Sequence, residues 1–227
     1  MKNYHAYNHS GGSVVAPDKE AAPAADQTAE QVSGAADVDT DASESTAAPE
    51  PIVTQVPGQP TYINGILVAN KQYGLPQDYA PGESKEARSE FNRMAADAKQ
   101  AGIELEAFST YRSYDYQKKL YNSYVARDGQ AAADRDSAKP GHSEHQTGLG
   151  FVISEAGRPD TRFEESNATR WMADHAHKYG FIVRYPKGKE HITGYQYEPW
   201  HFRYFGVEIA TDVYESGLSL EEYLGID

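Results

Sequence analysis

Between Tyr7 and Tyr62 the chain carries no aromatic residue and no leucine. Folding must offset the conformational entropy of every ordered residue, and buried apolar surface is the main source of that compensation. A stretch of Ala, Pro, Asp, Glu, Ser, Thr and Gln such as Glu20-Ala-Ala-Pro-Ala-Ala-Asp26 has little to bury, so residues 1–60 are expected to be a disordered acidic tether. They hold 9 acidic and 2 basic side chains. Such tracts hold a domain away from a membrane or wall. The residues after Met1-Lys2-Asn3-Tyr4 show no apolar core of an export signal. His5 and His9 stand four apart without helical support and are not read as ligands. The folded domain is therefore expected within residues 61–227.

Composition narrows the chemistry. The net charge of −13 and the lack of a basic run argue against nucleic acid as a partner. No cysteine is present, which excludes thiolate zinc sites, iron–sulfur clusters, disulfide scaffolds and a thiol nucleophile. No apolar run approaches the length of a transmembrane helix. No internal repeat is found, and a monomer is expected.

The pattern after residue 61 is mixed. Ala87, Phe91, Met94, Ala95 and Ala98 recur at helical spacing after a capping Ser84, predicting a helix over 84–101. Ile103–Ser109 alternates as a strand, and Ser113 caps a helix running to about Arg127 with Gln117, Leu120, Tyr121 and Tyr124 along it. Strands are expected at Gly148–Ile153, Phe181–Arg184 and Tyr197–Tyr204. A helix from Ser166 should present Trp171, Met172 and His175 to the core and stop at Gly180. Ser219-Leu-Glu-Glu222 has capping-box spacing. This predicts an α+β fold, a small and mostly antiparallel sheet with flanking helices.

Two segments carry chemistry: Ser143-Glu-His145-Gln-Thr-Gly148-Leu-Gly150 and Glu198-Pro-Trp-His201. Two histidines on neighbouring strands could share one metal. Glu198, three residues before His201, could take a proton from a bound water. On residue pattern alone, a turn histidine and a buried strand histidine fit equally simple structural roles, and that reading is the more economical one. His142, His175, His177 and His191 have no partner pattern and are read as structural.

Taken together these segments resemble the VanY-type D-alanyl-D-alanine carboxypeptidases, zinc peptidases of the LAS class that trim peptidoglycan, and the related L,D-carboxypeptidases. That family's pattern is Ser-x-His-x-x-Gly-x-Ala/Gly, with an aspartate seven residues after the histidine, followed later by Glu-x-Trp-His. Ser143, His145, Gly148 and Gly150 fit the first part, and Glu198, Trp200 and His201 the second. Tyr111-Arg-Ser-Tyr114 with Gln117, the extension from Pro140, and Gly180-Phe-Ile-Val-Arg-Tyr185 fit further segments, so the likeness runs from about Tyr62 to Leu224. It implies an LAS-peptidase-like domain, Zn²⁺ on His145 and His201, Glu198 as catalytic base, and peptidoglycan stem peptides as substrate. It also implies that Arg112 assists catalysis and holds a substrate carbonyl or carboxylate, with Ser143, Gln117 and Tyr111 lining the peptide slot. Trp200 reads as groove wall. An extracellular or cell-envelope location follows from the same likeness and the tether.

One position departs from the pattern. Seven residues after His145 stands Val152, where the resemblance calls for an aspartate as third zinc ligand. Valine has no lone pair to donate and removes a negative charge, yet suits a strand. The fold is expected to survive this change and the metal site to weaken. Glu144 is expected to face away from His145, Glu155 to point to the other sheet face, Asp160 to lie in a loop within possible approach, and Glu198 to be the nearest carboxylate. Two function classes follow: a zinc carboxypeptidase removing terminal D-alanine, or a metal-poor relative that binds cell-wall peptides without cleaving them.

Overall fold

The computed structural model of the chain describes residues 50–155 and 164–227. Within the unit Pro49–Asp227 the central sheet has four strands: β4 (Leu105–Ser109), β5 (Gly150–Glu155), β6 (Phe181–Val183) and β7 (His201–Tyr204). Their spatial order is β4-β5-β7-β6, antiparallel throughout. The expected α+β class with an antiparallel sheet is what the chain adopts.

The helix α1 (Lys85–Gln100) forms where the spacing predicts it, with Ser84 Oγ accepting from the Ala87 N–H at its start. Its stripe Ala87, Phe91, Met94 and Ala98 is buried against Phe151, Ile153, Phe181 and Phe202 of the sheet, and this is the main core. Burying a phenylalanine side chain contributes about 1.5–3 kcal/mol, so this layer fixes the sheet's position. The second predicted helix is α2 (Tyr114–Asp128), capped by Ser113, with Gln117 and Tyr121 as its buried residues. A short helix α3 (Gln130–Asp136) follows it. The segment from Ser166 forms α4 (Asn167–His175), continued by a 3₁₀ turn over Ala176–Tyr179 that ends at Gly180. Ala168 and Met172 are its buried residues, while Trp171 stacks on His175 at the edge of the core.

Three strand starts need correction, the first being β4, which begins at Leu105 and not at Ile103. The strand expected over Tyr197–Tyr204 begins only at His201, because Glu198-Pro-Trp-His folds as a turn in which the His201 N–H donates to the Glu198 carbonyl at 3.1 Å. The strand expected from Gly148 begins at Gly150, because Glu144–Thr147 is a 3₁₀ turn closed by Gly148 in the left-handed conformation. A Cβ at position 148 would also fall 2.0 Å from the Gly82 carbonyl oxygen, so glycine is required twice over there.

A second, three-stranded sheet joins β1 (Val53–Thr54), β2 (Thr61–Ile63) and β3 (Ile66–Val68). Asn64 and Gly65, both at positive φ, turn β2 into β3 as an Asn-Gly hairpin. The pairing of Val53 with Ile63 and Thr54 with Tyr62 brings residues before the expected domain start at 61 into this sheet. The chain continues through α5 (Glu190–Thr193) and α6 (Val207–Ser216) and ends in α7 (Leu220–Leu224), where both hydrogen bonds of the Ser219–Glu222 capping box are made.

Between the two sheets lies a buried ionic network. Arg184 donates to Glu144 at 2.9 Å and to both carboxylate oxygens of Glu221 at 2.9 and 2.7 Å. Arg203 also donates to Glu144, and to the Leu67 carbonyl at 2.8 Å. Asn70 adds a bond to Glu221 at 3.1 Å. Burial alone would push the Glu144 carboxyl up, but Arg203 and Arg184 outweigh it and hold it below its ordinary value. Two carboxylates and two guanidinium groups thus neutralise one another across β6, β7, α7 and the 3₁₀ turn. Removing one member leaves buried charges unpaired, a loss of about 3–5 kcal/mol. Arg184→Met is therefore expected to lower the unfolding free energy by about that amount, read as an earlier midpoint in urea.

Candidate active site

The site is built at the sheet end where β5 and β7 meet the 3₁₀ turn. His145 is held from three directions. Its N–H donates to Ser143 Oγ at 3.3 Å, and its carbonyl accepts from the Arg112 N–H at 3.1 Å. Its ring Nδ1 lies 2.5 Å from the Thr110 carbonyl. A carbonyl can only accept, so Nδ1 carries the proton and Nε2 presents its lone pair. That lone pair meets Arg112 Nη2 at 2.8 Å. Thr110 is steadied in turn by the Glu83 carboxylate, which Arg88 engages through two hydrogen bonds.

His201 stands on β7 directly opposite Val152 of β5. Its ring lies 4.9 Å from that of His145, centroid to centroid. Nδ1 of His201 is 2.9 Å from Glu198 Oε2, and Nε2 is buried with no hydrogen-bond partner among the described residues. Tyr185 packs edge-on against the His201 ring at 4.9 Å. The two imidazoles, Arg112 and Glu198 are thus brought together at one place, although His145 sits on a turn and not on a strand.

Arg112 is spanned by neutral partners. Nε donates to Ser109 Oγ at 3.2 Å and Nη1 to Gln117 Oε1 at 3.1 Å. Gln117 is buried on α2, and its amide also donates to Ser137 Oγ and the Ala138 carbonyl. Among the described residues no carboxylate pairs with Arg112, which leaves its charge for an anionic group. Ser143, 97% buried, braces the turn that carries His145. Tyr111 is half-buried beside Arg112 on the connection from β4 to α2.

Sequence reasoning did not single out Thr110, Glu83 or Tyr185 as parts of this site. Thr110 acts through its backbone carbonyl, which no side-chain pattern betrays. The expectation for Glu144 holds: it turns away from the site into the ionic network. Asp160 lies outside the described residues.

The donor set can be tested against a zinc ion. Catalytic zinc takes three protein ligands and leaves a fourth position open. His145 and His201 are close enough to share an ion, and Glu198 is the carboxylate beside them. The third corner is Val152, buried and aliphatic, paired across the ladder with His201. Among the described residues no group of three or more His, Asp or Glu is arranged to hold a metal ion. Among the described residues the donor set therefore does not complete a catalytic zinc site.

Comparison with known proteins places the chain. The family model for VanY, D-alanyl-D-alanine carboxypeptidase, matches residues 82–207. The chain belongs to the VanY family of carboxypeptidases. The Bacillus subtilis protein YodJ is 41% identical over 182 residues, taking in 70% of this chain and 67% of that protein. An L,D-carboxypeptidase structure, DacB of Streptococcus pneumoniae, is 47% identical with a TM-score of 0.71, covering 78% of this chain and 97% of that one. A variant of the vancomycin-resistance D,D-pentapeptidase VanY, solved in complex with Zn(II), is 34% identical with a TM-score of 0.61, covering 70% and 97%. The family is one of metallocarboxypeptidases of both D,D and L,D type.

The environment of His145 gives a direct check. Burial first, then the Arg112 charge and the neighbouring His201 ring, hold its pKa well below the ordinary value of 6.5. The folded state thus resists protonation that the unfolded chain accepts. The sign follows: this group's contribution is intact above about pH 6.5 and is lost as the pH falls below it. Heteronuclear NMR of the folded protein at pH 6 should show a neutral His145 ring protonated on Nδ1. A charged ring at that pH would contradict the geometry.

Proposed function

We propose that this chain binds the C-terminal end of a peptidoglycan stem peptide at Arg112 and removes its terminal D-alanine slowly or not at all. The observation that carries this reading is Val152 opposite His201, in the register where a third metal ligand would stand. Arg112 offers a guanidinium with no carboxylate partner among the described residues, and such a group grips a carboxylate or carbonyl through paired hydrogen bonds. Gln117 braces it through a hydrogen bond, Tyr111 precedes it in the chain, and Ser143 braces the turn that carries His145. Glu198 is placed to act as a base, but a carboxylate acting on free water lacks the Lewis acid that makes such a water reactive near neutral pH. The Zn(II) complex of the related D,D-pentapeptidase supports zinc as the ion that an intact site of this type takes.

A second reading rests on one contact. Glu198 Oε2 lies 2.9 Å from His201 Nδ1. A small rotation could make it the third ligand of a His-His-Glu set, at the expense of its role as base. The acidic tract before the domain is read as a tether, and the cell envelope as the place of action, on the strength of composition and family likeness.

The test is release of D-alanine from tetrapeptide and pentapeptide stems, which also separates L,D from D,D cleavage. The unmodified chain should release it at least 10- to 100-fold more slowly than Val152→Asp, the scale on which losing even a supporting residue of a metal site acts. Glu198→Ala in the Val152→Asp background should abolish release while metal stays bound. Fast zinc-dependent release by the unmodified chain would overturn the reading.

A further inference from the structure

A cavity of about 220 Å³ opens beside the site, lined by Lys71, Asp134, Ser137, Lys139, His142 and Tyr195. Liquid water takes about 30 Å³ per molecule, so the space suits the end of a side chain or a chain terminus. One side chain separates it from Arg112. Gln117 accepts from Arg112 on one side and donates to Ser137 on the other. A second route of contact runs from His201 through Tyr185 to Tyr195, with ring centroids 4.9 and 4.8 Å apart. An extended peptide advances about 3.3 Å per residue. The cavity thus lies one side chain away from Arg112, a separation on the order of one or two extended residues.

The lining is cationic although the chain as a whole carries −13. Lys71 Nζ donates at 3.0 Å to the backbone carbonyl of Asp134, not to its carboxylate. Its aliphatic stem lies across Gly194, where a Cβ would come within 2.8 Å of Lys71 Cδ, and its ammonium sits 4.6 Å above the Tyr195 ring. Lys71 is thereby held in place with donors to spare. Lys139 Nζ stands 3.5 Å from Asp134 Oδ1. The Asp134 carboxylate is shared, since it also accepts from Tyr121 and Gln130. Two ammonium groups thus face a carboxylate that already accepts from two other side chains, with Asp136 as a second acidic neighbour of Lys71. Burial first, and the Lys139 charge among the rest, lower the Lys71 pKa, a condition that an incoming anion relieves.

We infer that this cavity receives a carboxylate of the bound stem peptide, held by Lys71 and Lys139. The inference rests on the peptide-binding reading above. Two sources can supply the group. One is the side-chain carboxylate of a diaminopimelate residue, which lysine lacks at the same place in a stem peptide. The other is the α-carboxylate at the peptide's C-terminus.

Calorimetric titration of the full chain separates them. The ligands are two tetrapeptide stems that differ only in diaminopimelate or lysine at the third residue, each with a free or amidated C-terminus. The proteins are the unmodified chain, Lys71→Met, Lys139→Met and the double variant, with melting temperatures measured alongside; both lysines are exposed, so the fold should hold. The expected result is about a tenfold loss of affinity in the double variant for the peptide bearing the recognised carboxylate, and none for its counterpart lacking it. Loss confined to the diaminopimelate peptides assigns the cavity to the side chain; loss confined to the free-acid peptides assigns it to the terminus. Peptide binding that ignores both lysine substitutions would overturn this inference and leave the groove reading standing. No binding of any peptide by the unmodified chain would overturn both.

Discussion

The buried pairing of Arg184 with Glu144 and Glu221 is the interaction on which the rest of the structure depends. Charges this deep are tolerated only when fully paired and hydrogen-bonded. Here the pairing links elements far apart in sequence: the turn carrying Ser143 and His145, the residue following β6, and the C-terminal helix α7. Arg203 on β7 closes the network on Glu144 and reaches back to β3 through the Leu67 carbonyl. The backbone around His145 is thereby anchored from below, while Thr110 and Arg112 fix its ring from above. The rigidity of the site thus comes from a network that never touches a substrate.

Above that foundation the charge balance of the site is unusual. Zinc is a doubly charged ion, and a pair of neutral imidazoles offsets none of that charge. Val152 contributes methyl groups where a carboxylate would offer an anion, and Arg112 adds a positive charge at His145 Nε2, 2.8 Å away. This constellation suits an anionic peptide end better than a divalent cation. The strand itself accommodates valine, a good strand former: Val152 pairs with His201 of β7 and, beside a register shift in β4, with Ser109. Fold and chemistry are therefore separable at this one position.

Much of this was legible in the sequence. The helical stripe of α1, the caps Ser84, Ser113 and Ser166, and the capping box at Ser219 rest on local rules that tertiary packing did not override. The convergence of Arg112, Ser143, His145, Glu198 and His201 is an expectation from family likeness; in the structure Arg112 contacts His145, Glu198 contacts His201, and the two imidazoles are neighbours. Other features were hidden. The strands of the small sheet span two or three residues each, too short for alternation to register, although Asn64-Gly65 is a strong hairpin signal. Gln117 could as well have been an exposed helix residue, and Ser143 either a substrate ligand or a brace of its turn. Only the fold shows that both are buried, one braced on Arg112 and the other on the turn. The charged pairs of the ionic network join residues 37 to 59 positions apart, and its bond from Asn70 to Glu221 spans 151; no local pattern encodes such pairing.

The central claim is that the carboxylate missing at Val152 is what chiefly separates the described site from a complete metal site. Zinc affinity measured by competition with a chelator, on the unmodified chain and on Val152→Asp at matched pH, tests it most directly. The account predicts binding at least about 100-fold weaker in the unmodified chain, with melting temperatures of the two metal-free proteins close together. Equal zinc affinities would show that another residue completes the site, and would contradict the account.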